Sequence, residues 1–346
     1  MTDAAINETI ELGDIDPEQW NDFALQRGWS DGFPLIVPTE ELVAQFVETC
    51  RGDNLPFPAM PPRRVFPTLA SIAANAVMAG CRAEYLPLVV SAVRAVLQPE
   101  YNLHGTLATT HPCAPMLMIN GPVRHDLGIN CTSNCFGQGR QANATIGRAL
   151  QLTLLNVGGA KPGEMDRATQ GSPAKFAFCF GENEEESPWK AYHVRRGFEA
   201  SDNVVTALPC EAPHNINDHS STSGEAILMT IAGTVSQTGS NMIYGTAPYV
   251  IALGPEHAAT LHRDGWTIVD MQEKLFDDSA VHVSRVSTEN QKNYEERGQK
   301  VTNDRYYLTR TPDDIQIVVA GGPGKHSAYI PTFGFTEACS ERLPGH

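Results

Sequence analysis

Apolar positions along this chain form two kinds of pattern. Helical spacing of apolar residues predicts helices over residues 68–80, 84–98, 143–157 and 223–235. Short continuous apolar runs predict buried strands over residues 114–120, 204–208, 247–253 and 315–320. Because these strands alternate with helices, we predict an α/β fold with mainly parallel sheets that helices flank.

Two of the predicted strands share a sequence pattern. Ala114-Pro115 and Ala247-Pro248 are each followed by five residues and then by Gly-Pro, and the two copies stand 133 residues apart. The pattern favours two related halves, with chance reuse of a common strand ending as the alternative. We predict an acidic N-terminal arm (residues 1–16), an α/β domain with a Gly-rich loop (17–200) and a second α/β domain (201–346).

Charge narrows the classes of partner. The 346 residues include 25 Lys and Arg against 40 Asp and Glu, a net charge of −15. This balance argues against a nucleic-acid partner and against an anionic membrane surface. The N-terminus shows no secretory pattern, so we expect a cytoplasmic protein. The polar arm favours a homo-oligomer.

A Gly-rich loop at residues 136–140 runs into a predicted helix. Free backbone N–H groups and a nearby cation at such a point favour anion binding, which predicts Asn143, Thr145 and Arg148 as substrate-binding residues. The alternative is a tight turn in which Arg148 forms a structural ion pair. The third glycine of a dinucleotide fingerprint is missing, so we predict no nucleotide cofactor.

A second Gly-rich segment, residues 320–324, directly follows a predicted strand. Lys325, His326 and Ser327 come next and could offer charge, proton transfer and a hydroxyl to a ligand. The segment fails the phosphate-loop pattern because Val319 stands at the first glycine position. The alternative is a surface turn.

Four residues are candidates for moving protons: His111, Lys175, Glu182 and His214. Glu182 stands at the end of the strand-like run 176–180, and three more carboxylates follow it by residue 186. The alternatives are a satisfied buried histidine for His111, a solvated acidic face for Glu182 and a polar loop for His214.

Two arrangements point instead to redox or metal chemistry. Cys131 and Cys135 form a Cys-x3-Cys pair, and His214 and His219 flank Asp218 in one loop. Neither spacing matches a strong metal signature, so a metal stays open but is not favoured, and structural thiols are the better interpretation.

Several segments together resemble a known bacterial family. They are residues 28–34 (Gly-Trp-Ser-Asp-Gly-Phe-Pro), 75–81, 143–149 and 187–189. They are similar to the family that carries the UGSC selenoprotein-type label, over most of the chain from about residue 28. The resemblance implies no fold or activity, and this chain has no Gly-Ser-Cys tripeptide.

We therefore predict an enzyme of lyase or hydrolase type that acts on a small polar or anionic organic substrate by acid–base chemistry. Its site would lie at the Gly-rich strand ends, where ligands bind in α/β sheets. A thiol- or metal-dependent redox protein and a non-catalytic ligand-binding or assembly component are the two alternatives.

Overall fold

The structure is a computed structural model and describes residues 9–344. Its helices are α1 (Pro17–Gln26), α2 (Glu40–Glu48), α3 (Leu69–Ala79), α4 (Leu86–Leu97), α5 (Leu103–Ala108), α6 (Val123–Asp126), α7 (Gln141–Thr153), α8 (Tyr192–Arg195), α9 (Gly224–Val235), α10 (Asn241–Tyr244), α11 (Pro255–Arg263), α12 (Ile268–Asp278) and α13 (Thr288–Glu296). A π-helical turn, Leu154–Gly158, continues α7.

The strands form two four-stranded sheets and one small three-stranded sheet. They are β1 (Ala114–Asn120), β2 (Cys179–Gly181), β3 (Val204–Cys210), β4 (His214–Asn217), β5 (Tyr249–Leu253), β6 (Val281–His282), β7 (Val301–Thr302), β8 (Arg305–Tyr306), β9 (Ile315–Val319), β10 (His326–Ile330) and β11 (Cys339–Arg342). The first sheet has the order β11-β3-β1-β2, the second β4-β10-β5-β9 and the small one β6-β8-β7.

The two large sheets have the same arrangement of strands. In each, a central strand (β1 or β5) pairs parallel with an edge strand (β2 or β9) and antiparallel with the next strand (β3 or β10). The fourth strand, β11 or β4, is antiparallel to that neighbour. The sheets thus match strand for strand.

The first half of the chain, up to β4, supplies β4 to the second sheet. The second half, which follows β4, supplies β11 to the first sheet. The chain passes from β3 in the first sheet to β4 in the second, and later from β10 in the second to β11 in the first. A backbone bridge between Cys210 and Thr332 joins the two crossing segments. The exchange ties the halves together.

The sheets lie face to face between two helical layers. One side of each central strand contributes to a core between the sheets, which includes Met116, Met118, Val250 and Ala252. The opposite side of the first sheet packs with α3, α4 and α7, and that of the second with α9, α11 and α12. Both faces of the central strands β1 and β5 are therefore buried.

The predicted α/β class is confirmed, but the prediction of mainly parallel sheets is wrong. Only the β1–β2 and β5–β9 pairs are parallel within the two large sheets. A continuous apolar run signals burial on both faces, and here a second sheet supplies the burial that helices supply in parallel folds. The antiparallel strand β3 is fully buried for this reason.

The predicted division at residue 200 stays a prediction. The strands β3 and β11, which both follow residue 200, lie in the first sheet. Of the predicted arm, residues 1–8 lie outside the described residues. Leu12 and Ile15 of its remainder pack against the core of the first half. Between residues 9 and 344, no helix combines the length and the apolar character that crossing a bilayer requires.

Candidate functional site

Three loops meet where β1, β2 and β9 end. The Gly321 N–H donates to the Cys131 carbonyl (3.0 Å), and Asn183 Nδ2 donates to the Gly321 carbonyl (3.1 Å). A Cβ on Gly322 would collide with the Ser133 side chain, so only glycine fits there. The second Gly-rich segment therefore lies beside residues 131–133, which precede the first Gly-rich loop, and next to the loop that follows β2.

A buried carboxyl lies at this junction. Asn120, the last residue of β1, donates from Nδ2 to Glu182 Oε2 (2.5 Å) and to Glu184 Oε1 (3.0 Å). The Tyr192 N–H also donates to Glu182 Oε2 (2.7 Å), and the Gly121 N–H donates to Glu184 Oε1 (2.8 Å). One amide group thus bridges two carboxyl groups. Oε2 of Glu182 accepts both of its bonds, which leaves Oε1 to carry a proton.

Arg124 contacts the carboxylates of Glu184 and Glu185 and the backbone carbonyl of Glu182. Its guanidinium donates to the carbonyls of Gly121 (3.0 Å) and Glu182 (2.7 Å) and to both carboxylate oxygens of Glu185 (3.0 and 2.9 Å). Its Nε lies 3.1 Å from Glu184 Oε1. The Arg124 side chain is 3% exposed, so this charge is balanced by its carboxylate neighbours rather than by water.

The carboxyl groups differ in their affinity for protons. Burial raises the pKa of Glu182 to about 7, against the opposing effects of the Tyr192 N–H and nearby Arg195. The hydrogen bond from Arg124 and, with a smaller effect, the hydrogen bond from His125 lower the pKa of Glu185 to about 2. Near neutral pH, Glu182 is therefore divided between its two protonation states while Glu185 is ionised. Such a separation of pKa values is typical of acid–base sites.

Several buried polar atoms near Glu182 and Glu184 lack a hydrogen-bond partner within residues 9–344. Both ring nitrogens of His193 and the Oδ1 atom of Asn120 are buried and accept or donate no hydrogen bond within the described chain. Burial lowers the pKa of His193, whose Nδ1 lies 3.9 Å from Glu184 Oε1. Unsatisfied buried groups are rare and costly, and they concentrate at functional sites.

We name the set Asn120, Arg124, Glu182, Glu184, Glu185 and His193 the carboxylate cluster. Of this set, only Glu182 is among the site residues predicted from the sequence. The signal for Asn120 was present, since it is the single polar residue of an otherwise apolar strand. Arg124 follows the Gly-Pro turn after that strand, and its partners are about 60 residues away, which no local pattern reveals.

The other first-half candidates have contacts elsewhere. Arg148 forms a bidentate pair with Asp31 (2.7 and 2.8 Å) and also donates to three backbone carbonyls. Lys175 pairs with Asp166 (2.5 Å). The hydroxyl of Thr145 donates to the Gln141 carbonyl within α7. Arg148 and Lys175 thus already have carboxylate partners.

Asn143 and His111 have structural contacts as well. Asn143 Nδ2 donates to the carbonyls of Asn130 and Cys179 (both 3.0 Å), which fixes the loop before α7 against β2. Through these two hydrogen bonds, Asn143 stabilises the loop that leads to the junction. His111 Nε2 lies 2.8 Å from Glu211 Oε1, at the end of β3.

The remaining candidates, His214, Lys325, His326 and Ser327, lie on or beside the second sheet. His214 is exposed on β4, and Lys325 donates to the His219 carbonyl (3.2 Å). His326 and Ser327 open β10 rather than a loop; His326 contacts His219 (3.0 Å between the Nε2 atoms), and Ser327 contacts a buried histidine. Within the described residues, then, the structure does not gather the ten predicted side chains around one point.

The thiols and possible metal ligands show no assembled site in the described part of the chain. All eight cysteines are free and buried. Burial raises the pKa of Cys131, and that of Cys135 to about 12, so both thiols are protonated near neutral pH. From residue 9 to residue 344, no three His, Cys, Asp or Glu side chains are arranged to hold a metal ion.

Comparison with known proteins adds no identification. Neither a protein-family model, nor a curated protein, nor a solved structure matches the chain significantly. The function must therefore be argued from the geometry.

Proposed function

We propose that this chain is an enzyme of lyase or hydrolase type that acts on a small polar organic substrate, with Glu182 as its proton donor and acceptor. The observation that carries the proposal is the pair Glu182 and Glu184, bridged by Asn120 where three strand-end loops meet. General acid–base catalysis is most effective when the pKa of the catalytic group lies near the working pH.

The two carboxyl groups would have different roles. Glu184 is half-buried and its carboxylate reaches solvent, so a substrate in the junction meets Glu184 first. Glu182 lies deeper, is 1% exposed and is divided between its two protonation states near neutral pH. The Arg124 guanidinium contacts both Glu184 and Glu185. A substrate with a polar group that gains or loses a proton fits this arrangement.

The test is turnover with and without the Glu182 carboxyl. Small hydroxy acids, amides and esters would be incubated with the protein in D2O and followed by NMR for conversion or deuterium uptake. Glu182→Gln keeps an oxygen that can accept from Asn120 but cannot release a proton, so turnover should fall about 100-fold or more. Glu186→Gln, an exposed neighbour, is the matched control and should stay within about twofold of wild type.

Two outcomes would contradict the proposal. Equal turnover by Glu182→Gln and Glu186→Gln would exclude Glu182 as the proton-transferring group. No conversion of any compound by the wild-type protein would favour a non-catalytic ligand-binding protein instead.

We also infer that the two halves descend from one ancestral unit. The matching strand order of the sheets and the repeated Ala-Pro and Gly-Pro positions around β1 and β5 support this inference. The cytoplasmic location and the homo-oligomer stay predictions of the sequence.

A further inference from the structure

A large cavity opens beside the N-terminal arm. It has a volume of about 1310 Å³ and is lined by arm residues 9–16, by parts of α1, α2 and α3, and by the π-helical turn after α7. No member of the carboxylate cluster lines it. Its size suits an organic ligand as large as a cofactor.

One wall of this arm cavity is aromatic. The rings of Trp20, Phe23 and Trp29 contact each other, with centroids 5.7 to 6.3 Å apart. The Arg27 guanidinium lies over Phe23, 4.9 Å from the ring centroid. Such a wall offers flat apolar surface and favourable edge and face contacts to a ring system.

The polar lining has unsatisfied atoms. The π-helical turn presents Asn156, whose Nδ2 donates to the Trp29 carbonyl (3.1 Å) and to Asn75 Oδ1 (2.8 Å). Within residues 9–344, the Oδ1 atom of Asn156 is buried without a partner, and so is Nε1 of Trp20, a residue that is only 2% exposed. Buried polar atoms normally have a protein, water or ligand partner. Single π-helical turns occur frequently at functional sites.

Lys161 completes the lining of the arm cavity. Lys161 follows the π-helical turn, and a Cβ built on Gly28 would lie 3.2 Å from its Nζ atom. The side chain of Lys161 is half-buried, and no hydrogen bond or ion pair to it exists within residues 9–344. Lys175, in contrast, is paired with Asp166. In this cavity, the half-buried ammonium of Lys161 and the indole N–H of Trp20 can donate to an anionic ligand, and Asn156 Oδ1 can accept from a donor group of the same ligand.

We propose that the arm cavity binds an organic anion with a planar ring system. The rings pack against Trp20, Phe23 and Trp29, and the anionic group pairs with Lys161. The indole N–H of Trp20 and the Asn156 carbonyl oxygen serve further polar groups of the ligand. This site does not depend on Glu182.

The experiment compares an anionic probe with a neutral one of similar shape. The probes are 1-anilinonaphthalene-8-sulfonate and N-phenyl-1-naphthylamine, titrated by fluorescence into the full chain. Lys161→Met should weaken binding of the sulfonate about fivefold or more and leave the neutral amine within about twofold, since only the sulfonate loses an ion pair. Lys161→Arg keeps the charge and should keep the sulfonate affinity within about threefold.

Two controls separate this site from other surfaces and from the carboxylate cluster. Lys292→Met removes an exposed lysine of α13 and should change neither affinity. Glu182→Gln should bind both probes as the wild type does, so the two proposals fail independently. Energy transfer from tryptophan to bound sulfonate should decrease in Trp29→Phe, because Trp29 lines the cavity.

The proposal is overturned if Lys161→Met and Lys292→Met bind the sulfonate equally well. It is equally overturned if Lys161→Met weakens both probes to the same extent, because that result would show loss of the cavity rather than of an anion contact.

Discussion

The two large sheets have the same strand order, but the side chains at the ends of their central strands form different contacts. Both β1 and β5 are followed by Gly-Pro. The side chain of the third residue after each glycine forms hydrogen bonds at the end of its sheet. That residue is Arg124 in the first half and His257 in the second. Arg124 binds carboxylates, whereas His257 binds a hydroxyl and a backbone carbonyl.

The sheet end of the second half is fully hydrogen-bonded. His257 Nε2 donates to the Asp218 carbonyl (3.1 Å), and its Nδ1 lies 2.8 Å from the Ser327 hydroxyl. The Ser327 oxygen in turn accepts from the Gly254 N–H (3.2 Å). Every polar atom of this chain of bonds has a partner, which is the usual state of a structural network.

The first half has a carboxyl where the second has an apolar side chain. Ile119 pairs with Gly181 in the first sheet, and Ala252, its counterpart before the Gly-Pro turn, pairs with Val318 in the second. The next residues are Glu182 and Val319. Since the second sheet closes with valine at this point, the architecture does not require a buried carboxyl. A costly group that the fold does not require is a candidate for function.

The largest difference between the halves should appear when Arg124 is removed. Arg124→Met leaves Glu184 and Glu185 without their shared cation and removes the guanidinium hydrogen bonds to the Gly121 and Glu182 carbonyls. Breaking a buried ion pair in this way should lower the free energy of unfolding by about 3–5 kcal/mol, measured by urea denaturation.

Arg196→Met is the matched control for that prediction. The Arg196 side chain is 37% exposed and has a single carboxylate contact, Asp313 at 3.4 Å. Its loss should cost less than about 1 kcal/mol. Similar costs for the two variants would show that the carboxylate cluster holds no more charge energy than an ordinary surface pair.

The pH dependence of stability tests the raised pKa of Glu182. Burial raises that pKa from 4.5 to about 7, so the folded protein holds an extra proton between these pH values. The contribution of this group to stability is complete below pH 4.5 and is lost as the pH rises to about 7. Glu182→Gln should therefore gain about 1–3 kcal/mol relative to wild type between pH 5 and pH 8.

Urea denaturation of both proteins at several pH values provides the measurement. His193, whose lowered pKa acts with the opposite sign, is present in both proteins, so the difference between them isolates Glu182 to a first approximation. A difference that does not change with pH would mean that Glu182 ionises as an exposed carboxyl does.

Local features of the fold were predictable from sequence. The strand β1 has its predicted bounds, and Asp16 and Thr39 cap the helices that they precede. Glu182 stands at the end of β2, as the apolar run before it indicates. These features depend on neighbours in the chain, and backbone capping and apolar periodicity operate at that range.

Features that depend on distant contacts were not predictable. Strand direction was missed because β3 is apolar on both faces, as a parallel strand would be. Arg148 is a plausible anion ligand by its position on α7, but its partner Asp31 lies 117 residues earlier. Lys161 carries no local motif, since the arm cavity exists only once the arm packs against the first half.

The smallest expected effect concerns Ser327 in the second half. Ser327→Ala removes the hydrogen bond to His257 Nδ1 and leaves the Gly254 N–H without its acceptor, which should cost about 1–2 kcal/mol of unfolding free energy. Turnover should be unchanged, because every polar atom of the network already has a partner. A loss of turnover larger than about tenfold, with folding intact, would instead make Ser327 and His257 a nucleophile and its base, since the hydroxyl lies within hydrogen-bond distance of the imidazole. The functional contrast between the two sheet ends would then reverse.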